Sequence, residues 1–191
     1  QLLTSSFAAY SFAKLDFRHK NGLFLAYIAT IAMPWQVYMV PQFIMMRRMG
    51  LNDKLLAMIC LQAFSAFGVF MMKQFSENIP TSLLEACRID GAGELTTFVN
   101  VAFPIIKPGF GALAIFTFIN SWNEYPLQLV MLTQNESKTI ALGIASKLSE
   151  MSNDFGLIMA GAALASVPII IVFLCFQRYF TQGITMGAVK G

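Results

Sequence analysis

Acidic side chains are scarce in this chain, and three of them, Glu85, Asp90 and Glu94, fall close together. They surround the stretch Glu85-Ala86-Cys87-Arg88-Ile89-Asp90-Gly91-Ala92, which is followed by Phe98 and then by Phe103-Pro104. Their carboxylates could accept hydrogen bonds from basic or backbone donors on a soluble partner. A second polar group, Trp122-Asn123-Glu124-Tyr125 with Asn120 just before it, combines aromatic faces with hydrogen-bonding atoms. That combination suits sugar rings and hydroxyls. Glu124 is the one formal charge well inside an apolar segment, where insertion scales put the cost of a charge at about 2.5–3.5 kcal/mol. Either it faces a substrate path, or Pro126 breaks the helix there and Glu124 is a solvated, gating or helix-pairing residue. Gln62 and Gln128 are further polar candidates. The remaining reactive types offer little. His19, the only histidine, sits in the basic turn Arg18-His19-Lys20 and reads as solvated. Cys60, Cys87 and Cys175 lie far apart, with neither metal-ligand spacing nor a disulfide framework, and read as small apolar residues. No catalytic dyad or triad is apparent. No Gly-x-x-x-x-Gly-Lys-Ser/Thr run appears, so the chain is not expected to bind ATP itself.

The elements that must carry these residues are apolar. Of 191 residues, 57% are hydrophobic and 12% charged, with a mean hydropathy of +0.63; soluble domains carry about 25% charged residues. The net charge of +3 is scattered and gives no nucleic-acid patch. Residues 22–46, 55–72, 109–132 and 155–176 each approach the roughly 20 apolar residues that a spanning helix needs. Backbone groups in lipid must pair internally, and no alternating pattern suggests a barrel, so these segments read as helices. Pro34, Pro41, Pro126 and Pro168 are expected to kink them. Gly161 and Ala165 give a small-xxx-small spacing that permits close helix contact. The opening stretch, residues 2–13, is too short to span, and together with the absence of an initiator Met this suggests the end of a longer helix.

Lysine and arginine set the expected orientation. With the loop at 14–21 inside, alternation puts residues 73–108 and the carboxyl end inside as well. Lys14, Arg18, Lys20, Lys73, Arg88, Lys107, Arg178 and Lys190 are then cytoplasmic, against Arg47, Arg48, Lys54, Lys138 and Lys147 outside. The bias has the expected direction, with Arg47-Arg48 against it.

Residues 75–108 are too polar for lipid. Pro80 suits the first turn of a helix. Leu83, Leu84, Ala86 and Cys87 give an apolar stripe, and Gly91 suits the left-handed residue that ends many helices. A second amphipathic helix is expected through Leu95, Phe98, Val99 and Ala102, ended by Pro104 and Pro108. The result would be a helical hairpin along the cytoplasmic face, either an interfacial element or a docking element. Residues 133–154 form a polar loop containing Gln134, Asn135, Glu136, Lys138, Glu150, Asn153 and Asp154. It is either a plain connection or a docking surface.

The insert resembles the coupling loop of permease subunits in bacterial ABC importers, whose pattern is Glu-Ala-Ala, three residues, Gly, about nine residues, then apolar-x-Leu-Pro. Here Glu85-Ala86-Cys87, Gly91, Val101 and Phe103-Pro104 occupy those places, with Cys87 for the second Ala and Phe103 for Leu. Leu84 through Ala92 is similar to the carbohydrate-uptake branch, of the maltose-permease second-subunit type. So are Phe118-Ile119-Asn120-Ser121-Trp122-Asn123-Glu124-Tyr125, the paired Met33-Pro34 and Val40-Pro41, and the tail from Phe176 to Gly191.

The resemblance covers essentially the whole chain. It implies an all-α polytopic membrane protein: one permease domain over residues 1–191, a kinked bundle of the type I ABC importer kind. Relatives usually have six transmembrane helices, so about one and a half at the amino end are expected to be missing. It implies that Glu85, Ala86, Asp90, Gly91 and Ala92 couple to an ATPase, that Asn120, Trp122, Asn123, Glu124 and Tyr125 are substrate-path candidates, and that residues 133–154 form an external loop meeting a binding protein. The tail from Gly183 would reach the ATPase interface. The implied partners are a second permease subunit in a heterodimer, two ATPase subunits or domains and an extracytoplasmic sugar-binding protein. The chain would lie in the lipid bilayer of a bacterial inner membrane, multi-pass, and would bind no cofactor; ATP and Mg would sit on the ATPase. Two other classes explain part of the sequence: an ion-gradient-driven transporter or channel, and a membrane scaffold whose hairpin recruits a partner.

Overall fold

The computed structural model of the chain describes residues 1–149 and 155–188. Glu150, Asn153 and Asp154 of the polar loop, and Val189, Lys190 and Gly191 of the tail, lie outside the described residues. The helices are α1 (Leu2–Lys14), α2 (Lys20–Ala29), α3 (Trp35–Arg48), α4 (Leu55–Gln62), α5 (Ala66–Glu77), α6 (Thr81–Ile89), α7 (Glu94–Thr97), α8 (Phe103–Trp122), α9 (Pro126–Met131), α10 (Ile140–Ser149) and α11 (Phe155–Ala188). Among the described residues there is no strand, as expected of a chain whose apolar runs must satisfy their backbone groups internally.

Among the described residues two helices are long and apolar enough to cross a membrane, 94–122 and 155–179, or up to four if each bent pair counts as one span. In two of the expected spans the helix is interrupted. Residues 22–46 are broken: after a 3₁₀ turn, Met33 and Pro34 are extended, and α3 starts afresh at Trp35. Proline pushes the residue before it out of the helical region, which ends α2. Pro41, by contrast, sits inside α3. Residues 55–72 divide into α4 and α5. Ser65 restarts the helix, its hydroxyl accepting from the Gly68 N–H at 3.0 Å, the usual N-cap arrangement.

The expected stop at Pro104 and Pro108 is also corrected. The chain runs helically from Glu94 through Trp122, and both prolines lie within it. Residues Phe98–Ala102 form a π-helical turn, in which the Phe103 N–H reaches the Phe98 carbonyl five residues back. In an α-helix the Pro104 ring would collide with the carbonyl four residues earlier; the wider turn accommodates it.

By contacts the chain forms two units. The first comprises Gln1–Met33, Phe64–Phe116 and Phe176–Gly191. Its centre is the packing of α1 on α5, where small residues allow close approach: Ser5, Ser6 and Ala9 are buried, and a Cβ on Gly68 would overlap the Ser5 hydroxyl. Tyr10, Met72, Ile79, Leu84, Phe98 and Ile106 complete this core. Gly109 is held against the Phe75 ring, which a Cβ would overlap. Lys14 Nζ donates to the carbonyls of Glu77, at 3.1 Å, and Ile79, at 2.7 Å. It thereby closes the carboxyl end of α5, where carbonyls lack helical partners.

The second unit comprises Pro34–Ala63 and Thr117–Cys175. Met46, Ala57, Met58, Leu127, Met131, Leu132 and Leu142 form its core. Its loops are tied by Asp53, which is left-handed at φ 57°. The Asp53 carboxylate accepts from the Thr133 N–H, from the Thr133 hydroxyl at 2.7 Å and from the Gln134 N–H at 3.1 Å. The Asp53 carbonyl accepts from the Ser137 hydroxyl at 2.9 Å.

Candidate docking corner and candidate substrate path

The docking candidates gather at the corner between α6 and α7. Pro80 precedes α6 as its cap, with φ already in the range a proline fixes. The far end of α6 is closed by a Schellman motif. Gly91 takes φ +80°, the Ala92 N–H donates to the Cys87 carbonyl at 2.9 Å, and the Gly91 N–H donates to the Arg88 carbonyl at 3.1 Å. The corner is therefore a short helix with a fixed end rather than a flexible tether.

Its faces differ from the expected stripe. Leu84 is 1% exposed and belongs to the first unit's core, whereas Leu83 points outward and Cys87 is half-buried. Glu85, Ala86, Asp90 and Gly91 are exposed, Ala92 is half-buried, and Ile89 is 86% exposed at the tip. Leu95 and Val99 continue this exposed apolar surface along the next helix. The outward surface thus mixes two carboxylates with apolar side chains. Glu94 does not act as a free acceptor. One of its carboxylate oxygens accepts from Arg88 Nε at 2.8 Å and the other from the Tyr10 hydroxyl at 3.2 Å.

The substrate-path candidates lie at the end of α8 and in the break that follows, within the second unit. Trp122 Nε1 donates to the Ala165 carbonyl of α11 at 3.0 Å. Glu124 is half-buried, and its carboxylate accepts from the Leu127 N–H at 2.9 Å. It serves as a cap for α9, whose first residue is Pro126; this answers the break expected at that proline and occupies one carboxylate oxygen. Asn120, Asn123 and Tyr125 are exposed. Trp122 and Asn123 border a cleft of about 250 Å³, otherwise lined mainly by Ala141, Ile144, Ala162, Ala165, Ser166 and Ile169. The polar groups on this cleft are few, and the Ser166 hydroxyl is turned onto the Ala162 carbonyl at 2.9 Å. Gln128 is buried and accepts from the hydroxyl of Thr139, which in turn accepts from the Leu142 N–H at 3.4 Å and caps α10. Gln128 is thus a link between α9 and α10.

The residues that sequence reasoning passed over are Asp53, Tyr10 and Arg88 in its pairing role. Asp53 follows Gly50-Leu51-Asn52, a turn signal, but nothing local points to its partners some 80 residues away. Hydrogen bonds from Thr133 and Gln134 hold the Asp53 carboxyl below the usual carboxylate range.

The sequence matches the family described as binding-protein-dependent transport system inner membrane component over residues 1–186. It is 35% identical over 190 residues to the arabinooligosaccharides transport system permease protein AraQ of Halalkalibacterium halodurans, covering 100% of this chain and 68% of that protein. It is 33% identical over 189 residues to the lactose transport system permease protein LacG of Rhizobium radiobacter, covering 99% and 69%. Its fold is similar to a chain in the crystal structure of a bacterial ABC transporter involved in import of the acidic polysaccharide alginate, with a TM-score of 0.80 and 25% identity over 94% of this chain and 68% of that one. With helices and apolar spans but no strand among its described residues, and with the family's pattern running from residue 1 to residue 186, the chain belongs to the binding-protein-dependent transport system inner membrane components, the permease subunits of ABC importers.

Proposed function

We propose that this permease subunit imports a sugar or oligosaccharide and takes its energy from a separate ATPase through the α6 corner. The observation that carries the coupling part is the corner itself: α6 is anchored inward by Leu84, ended rigidly at Gly91, and exposes Glu85, Ala86, Ile89 and Asp90. A lever needs such a rigid, exposed end. The substrate class is supported by the relatives, whose names concern arabinooligosaccharides and lactose. In this reading the chain is multi-pass in a bacterial inner membrane, with residues 75–108 on the cytoplasmic side and residues 133–154 outside, facing a sugar-loaded binding protein. A second permease completes the path. ATP and Mg reside on two ATPase subunits or domains, and this chain holds no cofactor. Trp122, Asn123 and Tyr125 are the side chains offered to sugar, with Glu124 fixing the break that presents them.

The two bent helix pairs favour a second reading, because broken helices also build ion sites in gradient-driven transporters. Reconstitution in liposomes separates the two. Uptake of arabinotriose or lactose that needs internal ATP and a binding protein supports the importer. Uptake that persists without ATP and collapses with an ionophore overturns it.

A further inference from the structure

Tyr10 of α1 is 3% exposed, yet it carries a hydroxyl, and buried hydroxyls need partners. Its partner is Glu94, the first residue of α7, 84 positions along the chain. The same carboxylate holds Arg88 of α6 through its other oxygen. One side chain therefore joins three helices, with each oxygen serving a different one. The aromatic packing follows the same route: Phe98, buried at the start of the π-helical turn, lies edge-on to Tyr10 with ring centroids 5.2 Å apart and against Phe7 at 4.6 Å. α1 in turn packs along α5. Were Glu94 a plain surface acid, α6 would be held by its core residues and by its chain link to α7. The arrangement gives it a second, polar attachment, to α1.

We propose that Glu94 is a positioning residue that ties the α6 corner to α1 through Arg88 and Tyr10, so that movement imposed on α6 is delivered to the α1–α5 pair as well as to α8. This rests on the reading of α6 as the ATPase-docking element. An isolated Arg–Glu pair as exposed as this one contributes little to stability. A carboxylate shared with a buried phenol differs, because its removal leaves that hydroxyl unpaired. The exposed face of α6 is Glu85, Ala86, Ile89 and Asp90 rather than Glu94, so losing the tie should lower coupling while the ATPase still binds.

The test uses the complete importer, with the full-length chain, its partner permease, ATPase and binding protein, in liposomes. Arabinotriose and lactose serve as transport probes, and sugar carried per ATP hydrolysed is the readout. Glu94→Gln and Tyr10→Phe should each lower that ratio several-fold while the ATPase still co-purifies in wild-type amount. The Tyr10→Phe, Glu94→Gln double variant should be no worse than Glu94→Gln alone, because both remove one connection. A wild-type ratio in both single variants overturns the inference, as does a loss matched by loss of the ATPase from the complex. Additive losses in the double variant overturn it too, since they would show two unconnected sites. A wild-type complex that moves neither sugar at the expense of ATP overturns the reading of function, and the inference with it.

Discussion

At Gly91 and Asp53 the backbone itself carries the argument. Both are left-handed, at φ +80° and φ 57°, a region that costs other L-residues about 1–2 kcal/mol. Gly91→Val should therefore loosen the end of α6. We expect several-fold lower uptake at unchanged expression, measured in the reconstituted importer, and Gly91→Pro or Glu85→Lys should separate ATP hydrolysis from transport. Asp53 gives a pH signature. Its folded pKa lies below the ordinary 3.8, so its contribution to holding the Thr133 loop is full above that value and is lost as the pH falls through the lower folded one. The protection of the Thr133 and Gln134 amides, their exchange relative to the unfolded chain at the same pH, should be flat from neutral pH down to that window and then fall. In Asp53→Asn the protection should be lower throughout and show no such step. Gly91 was legible because helix ends of this kind favour glycine whatever the tertiary context. Glu124 was legible only as an alternative between path and break, since the charge is local but its partner, the Leu127 N–H, depends on how the chain turns. Asp53 and Tyr10 were not legible, because their meaning lies in residues about 80 positions distant.

The helices were foreseen more securely than their ends. Apolar runs announced α8 and α11, since no other structure satisfies a backbone in lipid, but composition alone did not show that 22–46 breaks at Pro34. The prolines were misjudged in opposite senses. Pro34 does more than kink, and Pro104 and Pro108 do less than stop a helix, because a π-helical turn absorbs the first of them. Helix contact is likewise set by tertiary neighbours. Gly109 reads as an ordinary helical glycine until Phe75 is placed against it. Gly109→Ala must displace that ring, an overpacking cost of about 1–3 kcal/mol. The detergent-solubilised chain should unfold at a lower temperature, and Phe75→Leu in the same chain should recover part of the loss.

Across the whole chain the apolar surface exceeds what the chain can cover. The apolar stretch of α11 is only 6% buried, and Leu157, Leu164, Ile171 and Leu174 all point outward. Lipid and a second permease are the coverings the proposed function supplies. A Leu164→Lys change would place a charge there at about 2.5–3.5 kcal/mol on insertion scales, so the amount of chain recovered in membranes should fall, by immunoblot of the membrane fraction. The break between α2 and α3 has a different consequence. It interrupts the helical ladder at Met33 and Pro34, between two apolar stretches, and the turns on either side carry backbone groups that no continuous helix satisfies. Irregular backbone of this kind is tolerated at membrane depth only against protein or water, and water is the expected neighbour here. In a background without Cys60, Cys87 and Cys175, a cysteine at Met33 should react with a membrane-impermeant maleimide, whereas one at Leu25, exposed in the middle of α2, should stay unlabelled. The distribution of water along the permease would then be drawn by its proline residues rather than by its charged ones.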